Sequence, residues 1–316
     1  MTSQPNAEMP DPSLTDTVKI TRRVRREEHQ AEKIEKLPKV PESLIGRVIC
    51  AHPEIITALA ALGMSLIFLL PSDFLTVAAA IAVVCFAYGW AHLAHLPAPR
   101  ASFILLTLFG VLALLSGRIF GDFSIVAEVV GLGVIGAFIA EMVRRPRQDL
   151  LNSVAGNVAG ILIVSTAGAW VMLETETLWY FLLVPGAVTL IGGCIGMAMS
   201  ANWQLKWRVF TGILFSVIFG LAAGAAILVM EGTSRDQLVL FAGGHLPSLT
   251  VALVSGLLLG VVFGIAFASL TVLFSGDLAP STVSAAVSQA FIPVLAASVP
   301  LYILARLLVG QGPTLA

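Results

Sequence analysis

Charge is scarce in this chain, and nearly half of it lies at one end. Asp, Glu, Lys and Arg make up 12% of the 316 residues, about half the share of a soluble globular domain. Nine of the 18 Lys and Arg and eight of the 19 Asp and Glu fall within residues 1–52. The residues beyond hold nine basic and eleven acidic side chains, too few to solvate a second water-soluble domain. Cysteine is scarce as well. Cys50, Cys85 and Cys194 are odd in number and far apart, which argues against a disulfide framework or a metal knuckle and for small packing residues.

Catalytic signatures are also missing. There is no G-x-x-x-x-G-K-[ST], which excludes a P-loop ATPase, and no H-E-x-x-H zinc-protease pair. No G-x-S-x-G marks a serine hydrolase, and no D-x-x-D run marks a prenyl-phosphate transferase. The TVGYG filter of potassium channels is absent too. No cofactor is expected.

What is present is one apolar block after another. A helix rises about 1.5 Å per residue, so about 20 apolar residues span a bilayer core. The blocks lie at 54–70, 74–93, 101–117, 123–143, 151–172, 177–199, 208–230, 247–274 and 284–308. The expected fold is an all-α polytopic membrane bundle of about nine helices. Residues 1–52 form a charged cytoplasmic tail, 53–310 the membrane domain and 311–316 a short end. Within the tail, 1–16 reads as disordered. Residues 17–37 are rich in helix formers and suit a short solvated helix.

Orientation follows from basic residues. With the tail in the cytoplasm, 15 Lys and Arg lie inside and Arg118, Arg235 and Arg306 outside. The 101–117 block is among the shortest, yet dropping it would invert every later helix and violate this distribution. Residues 1–50 carry no apolar core of a cleavable signal, so the first spanning helix is expected to act as the membrane signal. Compact loops fit a bacterial cytoplasmic membrane.

A few polar residues interrupt the apolar blocks. Glu128, in SIVAEVVGLGVIG, lies inside the fourth block, where an ionised carboxylate must face protein or water. It is a candidate for proton or cation coupling. The plainer alternative is a carboxylate at headgroup depth near Asp122. Asn157 and Gln289 are deep amides that need interhelical partners, and they join Glu128 as transport candidates. Glu141, Arg144, Arg145, Arg147, Asp149 and Asn152 form the densest polar cluster of the membrane body. Arg144, Arg145, Arg147 and Asn152 are candidates for an anionic head group, with the arginines as bidentate donors. A positive-inside anchor explains the same residues. Glu141 and Arg145 are spaced i,i+4 and suit an ion pair.

His92 and His95 form H-x-x-H without a third ligand, so they read as interfacial residues. Trp203, Lys206, Trp207 and Arg208 mark one membrane interface, and Trp170, Trp179 and Tyr180 the other. Glycine pairs at 156/160, 192/196, 220/224 and 256/260/264 suit close helix packing. Pro293 and Pro300 suggest a kinked last helix, and LVLFAGGHLPS (238–248) a re-entrant or interfacial piece.

Three functions fit. The first is permease-like transport of a small solute or lipid. The second is an enzyme acting on a lipid or polyprenyl phosphate at the cytoplasmic face. The third is a scaffold subunit that docks a protein partner through its tail. Membrane lipids are expected partners and nucleic acid is not; the Arg22–Arg26 cluster could touch anionic lipid, a reading weakened by Glu27 and Glu28, which follow it at once.

Overall fold

The computed structural model describes residues 43–67, 73–145, 149–174, 183–230, 248–274 and 280–309. The 17–37 helix, the Arg22–Arg26 cluster, Arg147, Trp179, Tyr180, Arg235, residues 238–247 and residues 311–316 lie outside them. Every described element is a helix. They are α1 (Leu44–Ala51), α2 (Pro53–Leu66), α3 (Asp73–Leu93), α4 (Pro99–Phe120), α5 (Phe123–Val143) and α6 (Leu150–Ser165). There follow α7 (Ala167–Glu174), α8 (Leu183–Met199), α9 (Leu205–Met230), α10 (Ser248–Leu273), α11 (Val283–Ala296) and α12 (Ser298–Val309).

The protein is an all-α, multi-pass membrane bundle. Among the described residues, seven helical stretches are long and apolar enough to cross a bilayer, two of them being α6 with α7 and α11 with α12. Two shorter apolar helices, Pro53–Leu66 and Pro185–Met199, bring the set near the expected nine. The 101–117 block grows to the 22 residues of α4. Its ends explain the extension. Pro99 sits in the first turn, where a missing N–H costs nothing, and Gly121 ends the helix in the left-handed region at φ 62°.

Contacts sort the chain into two ends. At one end Arg208 reaches Glu54, Ser153 reaches Glu141, and Trp90 reaches the Gly156 carbonyl. At the other, Arg118 meets Asp73 and Phe123 stacks on Tyr302. The Glu54 end carries Arg100, Arg144, Arg145, Lys206 and Arg208. The Asp73 end carries Arg118 and Arg306.

Two kinds of packing hold the bundle. Where α9 crosses α10, glycines face each other. A Cβ on Gly220 would land on the Gly256 carbonyl oxygen, and one on Gly256 would land on that of Gly220. Lipid provides no hydrophobic drive between helices, so dispersion at close range holds this seam together. Gly192 and Gly196 extend it by resting against Phe219 and Thr211 of α9. Gly156 and Gly160 instead accommodate Leu96, Trp90 and Leu106.

Elsewhere buried hydroxyls and indoles reach backbone carbonyls. Over their apolar windows, 61% of residues in Leu150–Leu173 and in Val283–Arg306 are buried, against 17% in Phe123–Val143. Helices α6–α7 and α11–α12 are therefore central, while α5 is peripheral. Ile135, Phe138, Ile139 and Met142 of α5 are exposed, as suits a lipid-facing surface.

Candidate functional site

The two central membrane crossings are each interrupted for one residue, at Thr166 and Ala297, where the dihedrals stay right-handed helical but the regular ladder of backbone bonds is broken. Helix α6 stops at Ser165 and α7 restarts at Ala167, while α11 stops at Ala296 and α12 restarts at Ser298. Both crossings start from the Glu54 end. Their breaks come after 16 and 14 helical residues, so they lie at similar depth, about 21–24 Å along the axis.

The causes differ. In α11–α12, Pro300 supplies no N–H, so the Ala296 carbonyl at the break lacks its helical donor, and Pro293 does the same to the Gln289 carbonyl inside α11. Pro300 falls in the first turn of α12, where it is tolerated. The α6–α7 break contains no proline. There Ser165 Oγ donates to the Leu162 carbonyl at 2.9 Å and Thr166 Oγ1 to that of Ile163 at 2.6 Å. Such back-bonding competes with the helical ladder, and Gly168 adds little helical preference.

A carbonyl in lipid without a donor costs several kcal/mol. The α6–α7 crossing supplies donors to α11–α12, while the Thr166 carbonyl, already bonded by the Ala169 N–H at 3.0 Å, receives a second donor in return. Thr166 Oγ1 donates to the Leu295 carbonyl at 2.9 Å, and Ser298 Oγ donates to the Thr166 carbonyl at 2.6 Å. The Trp170 indole N–H donates to the Val294 carbonyl at 3.1 Å. Trp170 is thus no interfacial marker: it is 2% exposed and holds the two breaks together.

Asn157 and Gln289 lie below these breaks, each about 10 Å into its helix from the Glu54 end. Asn157 is buried and its Oδ1 has no partner. Gln289 is half-buried, and its Oε1 is buried without a partner. No hydrogen bond joins the two amides. Helix α3 flanks both helices: Trp90 Nε1 reaches Gly156 on α6 at 2.9 Å, and Ser288 Oγ of α11 reaches the Phe86 carbonyl at 2.8 Å. A Cβ at Gly89 would strike the Ser284 carbonyl, so α3 and α11 touch backbone to backbone. Glu128 does not join this group. It is exposed on α5, away from the centre of the bundle.

The arginine cluster resolves into separate parts. Arg144 donates from Nε and Nη2 to Glu141 Oε2, both at 2.7 Å, and Ser153 Oγ donates to Glu141 Oε1 at 2.6 Å. Glu141 therefore pairs at i,i+3 with Arg144, not at i,i+4 with Arg145. Helix α5 ends at Val143, and Arg144 is already extended at ψ 137°, which turns its side chain back onto the helix. Arg145 and Asn152 are exposed. Asp149 caps α6 by position alone, with φ 50° and no side-chain bond.

A second buried group was not signalled by the sequence pattern. Glu54 opens α2 behind Pro53, where the helix N-terminus favours negative charge. Its side chain is 2% exposed. Oε1 faces Arg208 Nη2 of α9 and His52 Nδ1, each at 3.3 Å. Oε2 and Arg208 Nε are buried without partners. Arg208 thus departs from the expected interface marker, whereas Trp203, Lys206 and Trp207 are exposed. His92 and His95 are exposed as well. Among the described residues no three of His, Cys, Asp or Glu gather as metal ligands. No family model, no curated protein and no solved structure matches this chain.

Proposed function

We propose that the protein is a permease-like carrier of a small polar solute in the cytoplasmic membrane, with the basic Glu54 end facing the cytoplasm. The observation that carries this reading is the pair of central helices, each with an interrupted backbone ladder, that exchange side-chain-to-carbonyl hydrogen bonds at one depth. Continuous helices satisfy their own backbone. A break persists in a membrane only where neighbours or a polar cavity satisfy the freed groups. Discontinuous helices recur at the binding sites of secondary transporters for this reason.

The bonds across these breaks are each worth about 0.6–2 kcal/mol in a membrane. Bonds of that size can be exchanged for bonds to a solute or to water. Asn157 Oδ1 and Gln289 Oε1 supply unpartnered acceptors on the approach from the Glu54 end. The solute implied is small and carries hydrogen-bond donors.

The test is water access. Asn157→Cys and Gln289→Cys are made with Cys50, Cys85 and Cys194 replaced by Ala, and sealed vesicles are treated with a membrane-impermeant thiol reagent. Reaction at both positions is expected. If neither position reacts from either side while a control cysteine at His92 reacts fully, the bundle is closed and the carrier reading fails.

A further inference from the structure

Two buried carboxylates at the Glu54 end are both paired to arginine, yet they are built differently. Glu141 is fully satisfied, with two Arg144 nitrogens on one oxygen at 2.7 Å and Ser153 on the other at 2.6 Å. Glu54 receives one guanidinium nitrogen at 3.3 Å, beyond the 2.7–2.9 Å of a strong charge-assisted bond. Its second oxygen and the Arg208 Nε are both buried and unpartnered. A carboxylate in this setting carries a desolvation cost that the pairing offsets only in part. Glu141–Arg144 has the geometry of a permanent staple, and Glu54–Arg208 that of a pair able to open.

From this contrast we infer that Glu54 is a proton-uptake site that couples the carrier to a proton gradient, with His52 as its route to water and Arg208 as the group it releases. The inference rests on the carrier reading above. His52 bridges the required distance: its ring is 38% exposed, and its Nδ1 lies 3.3 Å from Glu54 Oε1. A neutral imidazole with its proton on Nδ1 takes a proton from water at Nε2 and passes the Nδ1 proton to the carboxylate; the Nε2–H tautomer that remains is reset by exchange of its proton with water. The neutral carboxyl then no longer attracts Arg208, whose side chain is already 26% exposed. The guanidinium turns to water, keeping its charge, and the polar link between α2 and α9 is lost.

The other neighbours of Glu54 do not compete for the proton. Helix α11 packs on α2 through the 2.8 Å bond from Thr57 Oγ1 to the Ala290 carbonyl and contains no ionisable side chain. The one ionisable group of α8 is Cys194, within electrostatic reach of the carboxylate. Helix α1 brings Arg47 and Cys50, the former exposed. On α9 the remaining cation, Lys206, is exposed.

Infrared difference spectroscopy of the full chain in lipid vesicles, recorded as pH is lowered, tests the assignment. A protonated-carboxyl band should grow, should vanish in Glu54→Gln, and should persist in Glu128→Gln. In His52→Ala the band should remain but rise more slowly after a pH jump. If Glu54→Gln does not fold, Glu54→Asp reads the same point, because the band must move to that of an aspartic acid. A band unchanged by substitution at Glu54 overturns the assignment. A normal Glu54 band beside unreactive cysteines at 157 and 289 would instead leave the proton site standing and remove the carrier.

Discussion

Helices α9 and α10 meet glycine to glycine, while α6–α7 and α11–α12 meet through hydroxyls and an indole. In the first region backbone touches backbone at Gly220 and Gly256. Any separation there loses many dispersion contacts at once and gains none. At the second contact each helix lends side-chain hydrogen-bond donors to backbone carbonyls of the other. Those donors can turn to a different acceptor at small net cost. The same bundle thus contains one joint that resists opening and one that can exchange partners.

The largest expected effect is at the glycine seam. Gly256→Leu has to displace backbone on α9, and should cost about 3 kcal/mol or more, with loss of folded protein in detergent unfolding titrations. Trp170→Phe keeps the ring and removes the donor to Val294. It should cost about 1–2 kcal/mol in the same titration, and a cost above that of Gly256→Leu would reverse the assignment of the rigid joint. Thr166→Val should cost about 1 kcal/mol, with Ser298 still holding the other half of the exchange. At the Asp73 end, Arg118 pairs with Asp73 at 2.6 Å, but both side chains are well exposed. Arg118→Ala should therefore change stability by less than about 0.5 kcal/mol.

The smallest effect is a pH effect at the same end. Asp122 caps α5, and the Ser124 backbone N–H holds its carboxyl below the ordinary value of 3.8. A lowered folded value means the cap contributes fully above pH 3.8 and is lost as pH falls through the folded value. Acid unfolding of Asp122→Ala should lack this one contribution.

Much of the seam was legible in the sequence, because spacing every fourth residue places glycines on one helix face and lipid makes close approach the main source of attraction. The spans were legible for a related reason: hydrocarbon demands long apolar runs. Half of the break was legible through Pro293 and Pro300. The other half was hidden, since Ser165 and Thr166 are ordinary membrane-helix residues until a neighbour offers an open carbonyl. Trp170 misled because position near a block end suggests an interface, and burial depends on which helix stands opposite. Glu128 drew attention by its depth in a block, yet it faces outward on α5. Glu54 drew none, because a carboxylate in the first turn of a helix is common, and only the arrival of Arg208 from 154 residues away makes it unusual.

Hydrogen–deuterium exchange of the unmodified protein in lipid nanodiscs compares the two joints in one experiment. Amides in peptides covering 163–170 and 294–301 should exchange at least about tenfold faster than those covering 213–224 and 256–264, a difference of about 1.4 kcal/mol in opening free energy. Equal protection at the breaks and the seam would contradict a carrier that works by opening the broken helices.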